Sequence, residues 1–154
     1  MRSCKAAAVF DIDDTLVSSQ PVLSTNSPAY DYETATSNAS VANCTTPVIE
    51  ATKSLFLRLK RSGVTPILMT GRPERQRQET TSCLESLGVS GWQTLIMRAE
   101  GDDRPASVYK AQARKGLQQK GWKIGPSTGD QISDMSFGHL GHGFLLPNPM
   151  YLIP

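Results

Sequence analysis

Ala6-Ala7-Ala8-Val9-Phe10 runs directly into Asp11-Ile12-Asp13-Asp14-Thr15. A short apolar run that ends in polar residues reads as a buried strand feeding a loop. Asp11 and Asp13 stand two residues apart, so both project in the same general direction just past the strand end. Carboxylates that close repel, and a cation or a shared proton is expected between them. In an open α/β sheet, ligands bind outside the carboxyl ends of the strands. From this stretch alone, the plainer reading of the acids as helix-capping and turn residues stays open.

Apolar strands and helical stretches alternate along the rest of the chain. Thr46 as a cap, Pro47 at the first helical position and Gly63 just past the end frame a helix. Within it Val48, Ile49, Leu55, Phe56 and Leu59 recur at helical spacing. Residues 64–69 read as a second strand, ending in Thr70-Gly71-Arg72. Pro73 opens the next helix, which passes Cys83, Leu84 and Leu87 and stops at Gly88. Residues 94–98 form a third strand, and 106–120 a helix. A fourth strand before Asp130 is weakened by Gly125 and Pro126, and residues 143–146 give a fifth. This alternation predicts a parallel sheet covered by helices on both faces. Residues 17–46 differ in character: rich in Ser, Thr and Asn, with Asp31 and Glu33 as the only charges. A connection that long predicts a lid, a binding loop or disorder, here read as a small cap or lid insertion within one domain over 1–154. Tyr30 and Tyr32 are its large aromatic groups, equally readable as a substrate entrance or as surface.

The 154 residues are one domain's worth. At 38% hydrophobic and 19% charged, the chain is globular. Sixteen Lys plus Arg against fourteen Asp plus Glu, net +2, is no electrostatic footprint for nucleic acid or an anionic membrane. No apolar run approaches the roughly 20 residues of a membrane span. Cys4, Cys44 and Cys83 are odd in number and widely spaced, which predicts neither a disulfide framework nor a metal pair. With no secretory signal readable in the first ten residues, a reducing, cytoplasmic setting is expected. The sequons at Asn38 and Asn43 are then without consequence, and His139 and His142 read as loop residues rather than ligands.

Three more signals follow the acid pair. Thr70-Gly71 supplies a hydroxyl and backbone N–H groups at a strand-to-helix junction, suited to a phosphate oxyanion, or simply to helix entry. Gly129-Asp130-Gln131-Ile132-Ser133-Asp134 places two acids one helical turn apart, able to face one point, or to serve as an N-cap with a second acid. A lysine lies between these motifs, but spacing alone does not choose among Lys110, Lys115, Lys120 and Lys123.

In this order, acid pair, Thr-Gly, Lys and GDxxxD, the chain resembles the haloacid dehalogenase superfamily of phosphohydrolases. FDIDDT, LMTGR, VYK with Arg114 four residues on, GDQISD and the terminal LPNPMYLIP look like the acid phosphatases of subfamily IIIB. That group includes plant vegetative storage proteins and bacterial outer-membrane acid phosphatases. The resemblance implies a Rossmann-like three-layer α/β sandwich with a mainly parallel sheet of about five strands and a minimal cap. It places the Asp11 strand between those ending at Thr70 and Asp130. By the same resemblance Asp11 is the nucleophile that forms an aspartyl-phosphate, and Asp13 the general acid and then base. Thr70, the Gly71 N–H and Lys110 bind the phosphoryl oxygens, and Lys110 also neutralises the nucleophile. Mg²⁺ is the implied cofactor, held by Asp11, Asp130 and the Asp13 carbonyl, with Asp134 holding its waters or orienting Lys110.

The expected function is Mg²⁺-dependent hydrolysis of small phosphomonoesters. One rival is a phosphoacceptor of the response-regulator type. Its phosphorylated Asp normally follows the third strand, where this chain has Arg98-Ala99-Glu100. Another is a catalytically weak phosphate-binding or storage protein on the same fold. The presence of both Asp11 and Asp13 argues against relatives that lack the nucleophile. The substrate and the oligomeric state are not legible.

Overall fold

The computed structural model describes residues 5–21 and 41–153. Strands β1 (Lys5–Phe10), β2 (Thr65–Pro73), β3 (Leu95–Arg98), β4 (Trp122–Gly129) and β5 (His142–Leu145) form one sheet. All neighbours pair in parallel, in the order β3-β2-β1-β4-β5. The strand carrying Asp11 therefore lies between those leading to Thr70 and Asp130, and the winding reverses between β1 and β4. That reversal opens the crevice in which a ligand sits on folds of this kind.

Side-chain alternation along the strands builds the two outer layers. Ala8, Phe10 and Leu68 face helices α1 (Glu50–Arg61) and α2 (Arg77–Ser86), where Phe56 and Leu84 are fully buried. Phe10 meets Phe56 edge to face, ring centroids 5.5 Å apart. Ala7, Val9, Ile67 and Met69 point the other way, onto Leu117 of helix α3 (Ala106–Gln119) and Ile124. The result is the three-layer α/β sandwich.

Four departures from expectation have local causes. Helix α1 begins at Glu50, not Pro47. Val48 forms a bridge to Val17, and Pro47 accepts a hydrogen bond from the Ser18 N–H, so residues 46–49 are used in tying down the turn after β1. Strand β4 is eight residues long despite Gly125 and Pro126, because its register against β1 shifts between Ala7 and Val9. That irregularity takes up the extra residue, as a bulge does. Pro73 continues β2 rather than opening a helix; a 3-10 turn at Glu74–Gln76 intervenes before α2.

The fourth departure is chemical. Cys44 and Cys83 are joined in a disulfide, against the expectation of none. They are 39 residues apart in sequence, but α2 brings Cys83 beneath the segment before α1, with Cα atoms 5.3 Å apart. Separation along the chain says nothing about separation across a fold. Of the expected cap, residues 22–40, with Tyr30, Tyr32 and Asn38, lie outside the described residues. Among those described, no helix is long and apolar enough to cross a membrane.

Candidate active site

The carboxyl ends of β1, β2 and β4 converge on a cavity of about 170 Å³. Asp11, Asp13, Gly71, Lys110, Asp130 and Ser133 are among the residues lining it. The turn after β1 wraps around one carbonyl: the N–H groups of Leu16 and Val17 both bond to Ile12 O, at 2.8 and 3.0 Å. Asp14 adopts a left-handed conformation (φ 52°), one that Asp tolerates better than most residues. Its carboxylate accepts the Ser19 N–H at 2.8 Å and the Tyr151 hydroxyl at 2.5 Å, locking the turn to the C-terminal segment.

Lys110, from the first turns of α3, settles the choice among the lysines. Its Nζ donates to Asp11 Oδ1 at 2.8 Å and pairs closely with Asp134. Lys115, Lys120 and Lys123 are exposed. Burial works against a charge on Lys110, but Asp11 and Asp134 outweigh it and hold the ammonium above the ordinary lysine range. Burial raises the Asp11 carboxyl well above its usual value; Lys110 opposes this, while Asp134, Asp130 and Asp13 push the same way.

Asp130 is raised by burial too, against hydrogen bonds from Asn148 and Gln131. Those two amides donate to the same oxygen, Oδ2, at 2.7 and 2.6 Å. Oδ1 is left beside the Thr15 hydroxyl at 3.4 Å, which also lies 3.5 Å from Asp11 Oδ2. The carboxylates of Asp11, Asp130 and Asp134 bring one oxygen each within 4.8 Å of one another. An all-oxygen, multiply anionic donor set of this kind fits a hard divalent cation. Asp134 is the most committed of the three: Lys110 takes Oδ1, and the Gln131 N–H donates to Oδ2 at 3.0 Å. Gly129 permits that placement, since a Cβ there would lie 2.0 Å from the Asp134 carboxylate. The glycine serves the close approach of the Asp134 side chain.

All the sequence-predicted site residues therefore meet, but with two differences of detail. Gly71 reaches the cavity wall, whereas Thr70 is not in the lining. The Thr70 hydroxyl accepts the Arg72 N–H at 3.1 Å and lies 3.5 Å from Asp13. The Asp13 side chain is not among the converging metal-type oxygens, because Arg72 grips it. Arg72 Nε donates to both Asp13 oxygens at 3.2 and 3.1 Å, Nη2 to Oδ1 at 2.7 Å, and Nη1 to Thr80 at 3.1 Å. A bulge puts Arg72 there: the register of β2 against β3 slips between Met69 and Pro73, so Thr70-Gly71-Arg72 swings out of the ladder.

Sequence reasoning quoted Arg72 and Arg114 but gave neither a role. Arg114, fully buried, donates to the carbonyls of Asp134 (2.8 Å), Gly138 (2.9 Å) and Ser136, fixing the loop that carries Asp134. Its place three residues from both Ala111 and Leu117, on the buried face of the helix, was the available signal. Asp14, Asn148 and Tyr151 were also missed. Of the remaining residues, His139 pairs with Gln118 at 3.0 Å, and Glu100 is exposed and paired with Arg75.

The chain is similar to known proteins over most of its length. The chain is 32% identical over 152 residues to vegetative storage protein 2 of Arabidopsis thaliana, covering 95% of this chain and 56% of that protein. It is 32% identical over 148 residues to acid phosphatase 1 of Solanum lycopersicum, covering 94% and 58%. The chain thus spans somewhat over half the length of these relatives. Among solved structures, the class C acid phosphatase of Bacillus anthracis superposes with a TM-score of 0.76 at 17% identity, covering 97% of this chain and 69% of that one. That likeness shows the fold. The model of HAD superfamily subfamily IIIB (acid phosphatase) matches residues 2–154, and the chain belongs to that family.

Proposed function

We propose that this chain hydrolyses small phosphomonoesters through an aspartyl-phosphate on Asp11, with Mg²⁺ as the cofactor. The observation that carries the reading is the meeting of Asp11, Asp13, Asp130 and Lys110 in one buried cavity at the strand ends. Phosphoryl transfer asks mostly for positioning and charge neutralisation, and these side chains supply both. Mg²⁺ would be held by Asp11, Asp130 and the Asp13 carbonyl, where it would offset anionic charge and orient the phosphoryl group.

The chain's own groups divide the work. Asp11 attacks phosphorus and displaces the alcohol, which takes a proton from the Asp13 carboxyl as the P–O bond breaks. Asp13, now ionised, takes a proton from water as that water attacks the phosphorus. Cleavage of the Asp11–phosphorus bond then releases phosphate and restores the nucleophile. Lys110 offsets the charge on Asp11 and on the phosphoryl oxygens, and the Gly71 N–H donates to one of them. Arg72 fixes the carboxylate plane of Asp13. Asp134 and Arg114 hold Lys110 in place.

The Cys44–Cys83 bond bears on location. Disulfides persist in oxidising compartments, which favours a setting outside the cytoplasm over the reducing one first expected.

The test is hydrolysis of para-nitrophenyl phosphate with and without Mg²⁺, beside Asp11→Asn. Metal-dependent, repeated turnover that disappears in the variant is the expected result, and it excludes a stoichiometric phosphoacceptor. Turnover that survives Asp11→Asn would overturn the mechanism. Phosphate binding without turnover would favour the storage reading, to which the name of the Arabidopsis relative points.

A further inference from the structure

Ser133 sits in the 3-10 turn between Asp130 and Asp134 and lines the same cavity. It is 3% exposed, and its Oγ is buried without a hydrogen-bond partner among the described residues. Native folds rarely leave a buried hydroxyl in that condition, and an instance calls for a physical reason. The polar groups beside it in the motif are already committed. Asp130 Oδ2 has two donors, Asn148 and Gln131. Asp134 is taken by Lys110 and the Gln131 N–H, and its carbonyl by Arg114 and Ser127. Both ends of the Gln131 side chain are used, one of them accepting the Ile153 N–H at 2.8 Å. The motif around Ser133 thus offers its hydroxyl no recorded acceptor among the described residues.

A serine hydroxyl can donate to an anion, and the other donors at this cavity, Lys110 and the Gly71 N–H, suit an oxyanion. We infer that Ser133 is a phosphate-binding residue, its hydroxyl donating to a non-transferred oxygen of the phosphoryl group in this cavity. The inference rests on the phosphatase reading. A lone water would satisfy the hydroxyl in the resting protein but would add nothing to phosphate affinity, and the two differ there.

The experiment compares the unaltered chain with Ser133→Ala, both with Mg²⁺. Inorganic phosphate binding is measured by calorimetry, melting temperature without phosphate, and kcat and KM on para-nitrophenyl phosphate. A hydrogen bond to a charged oxygen is expected to weaken phosphate binding about tenfold when lost. The melting temperature without phosphate should hold or rise, because the hydroxyl has no partner to lose. Equal phosphate affinity in both proteins overturns the inference while leaving the phosphatase reading intact. A lower melting temperature with unchanged affinity overturns it as well, by showing a structural hydroxyl. An unaltered chain that neither binds nor releases phosphate removes the phosphatase reading and the inference together.

Discussion

Arg72→Met tests whether the Asp13–Arg72 pair organises the site. Both side chains are buried, at 3% exposure each, and the guanidinium contacts both carboxylate oxygens and Thr80. Removing one partner of such a pair leaves an uncompensated buried charge, at a cost of about 3–5 kcal/mol. For a chain of this size, each kcal/mol moves the melting temperature by about 2–4 °C, so a fall on the order of 10 °C is expected. Arg72→Lys should recover little, since an ammonium cannot reproduce the fork on Asp13 or the reach to Thr80. Asp13→Asn combined with Arg72→Met should cost less than the two single changes added, because no charge is then stranded. Kinetics give the second reading. If Arg72 orients Asp13, the loss in kcat should be larger on an alkyl phosphate, whose leaving group needs the proton, than on para-nitrophenyl phosphate. Arg72→Met melting within about 2 °C of the unaltered chain, with kcat unchanged on both substrates, would refute the reasoning.

Two further outcomes follow from the geometry. The Cys44–Cys83 bond closes a loop of 39 residues, for which chain entropy predicts about 4 kcal/mol of stabilisation; the Cys44→Ser and Cys83→Ser double variant should melt lower, and a reductant should reproduce the effect only in the unaltered chain. Equal urea midpoints for the unaltered chain and the double variant, both without reductant, would contradict this. Burial raises the Asp11 and Asp130 carboxyls, so the folded chain binds more protons than the unfolded one from the ordinary carboxylate range (about pH 4) up to the raised values, and these groups lower stability as pH rises through that window. Mg²⁺ competes with the same protons, so the melting shift it produces should grow as pH rises from about 5 to 8. A shift independent of pH, in differential scanning calorimetry at fixed Mg²⁺, would count against those carboxylates as its ligands.

What was legible in the sequence was periodic or closely spaced. AAAVF followed by DIDDT announced a buried strand ending at carboxylates, and the alternation beyond it fixed a parallel sheet. Asp11, Asp13, Gly71 and Asp130 meet because each sits at or just past the carboxyl end of a strand, and Lys110 reaches them from the first turns of α3. Illegible features depend on pairs far apart along the chain. Arg72 finds Asp13 across 59 residues, Tyr151 finds Asp14 across 137, and Cys44 finds Cys83 across 39. None of these distances carries a periodic signal. The bulges in β2 and β4 are invisible for a related reason: register is a property of two strands, and each strand alone reads as merely imperfect.

The charge arrangement explains why those distant partners are needed. Five buried carboxylates, Asp11, Asp13, Asp14, Asp130 and Asp134, crowd the strand ends, and two buried cations, Lys110 and Arg72, contact them. The carboxylates thus outnumber the cations in direct contact with them. Neutral donors carry part of that load: Ser19 and Tyr151 on Asp14, Asn148 and Gln131 on Asp130, the Gln131 N–H on Asp134. These donors are dipoles, and they lower the cost of burying a carboxylate without cancelling its charge. Asp11 has the least such help, with one lysine and a distant threonine, and it is the carboxyl pushed well above its usual range. The fold thus spends its donors on the acids that must hold still, and leaves the residual anionic field at Asp11 and Asp130 Oδ1. A hard cation at that point would offset this field and favour the ionised Asp11 on which the proposed attack on phosphorus depends.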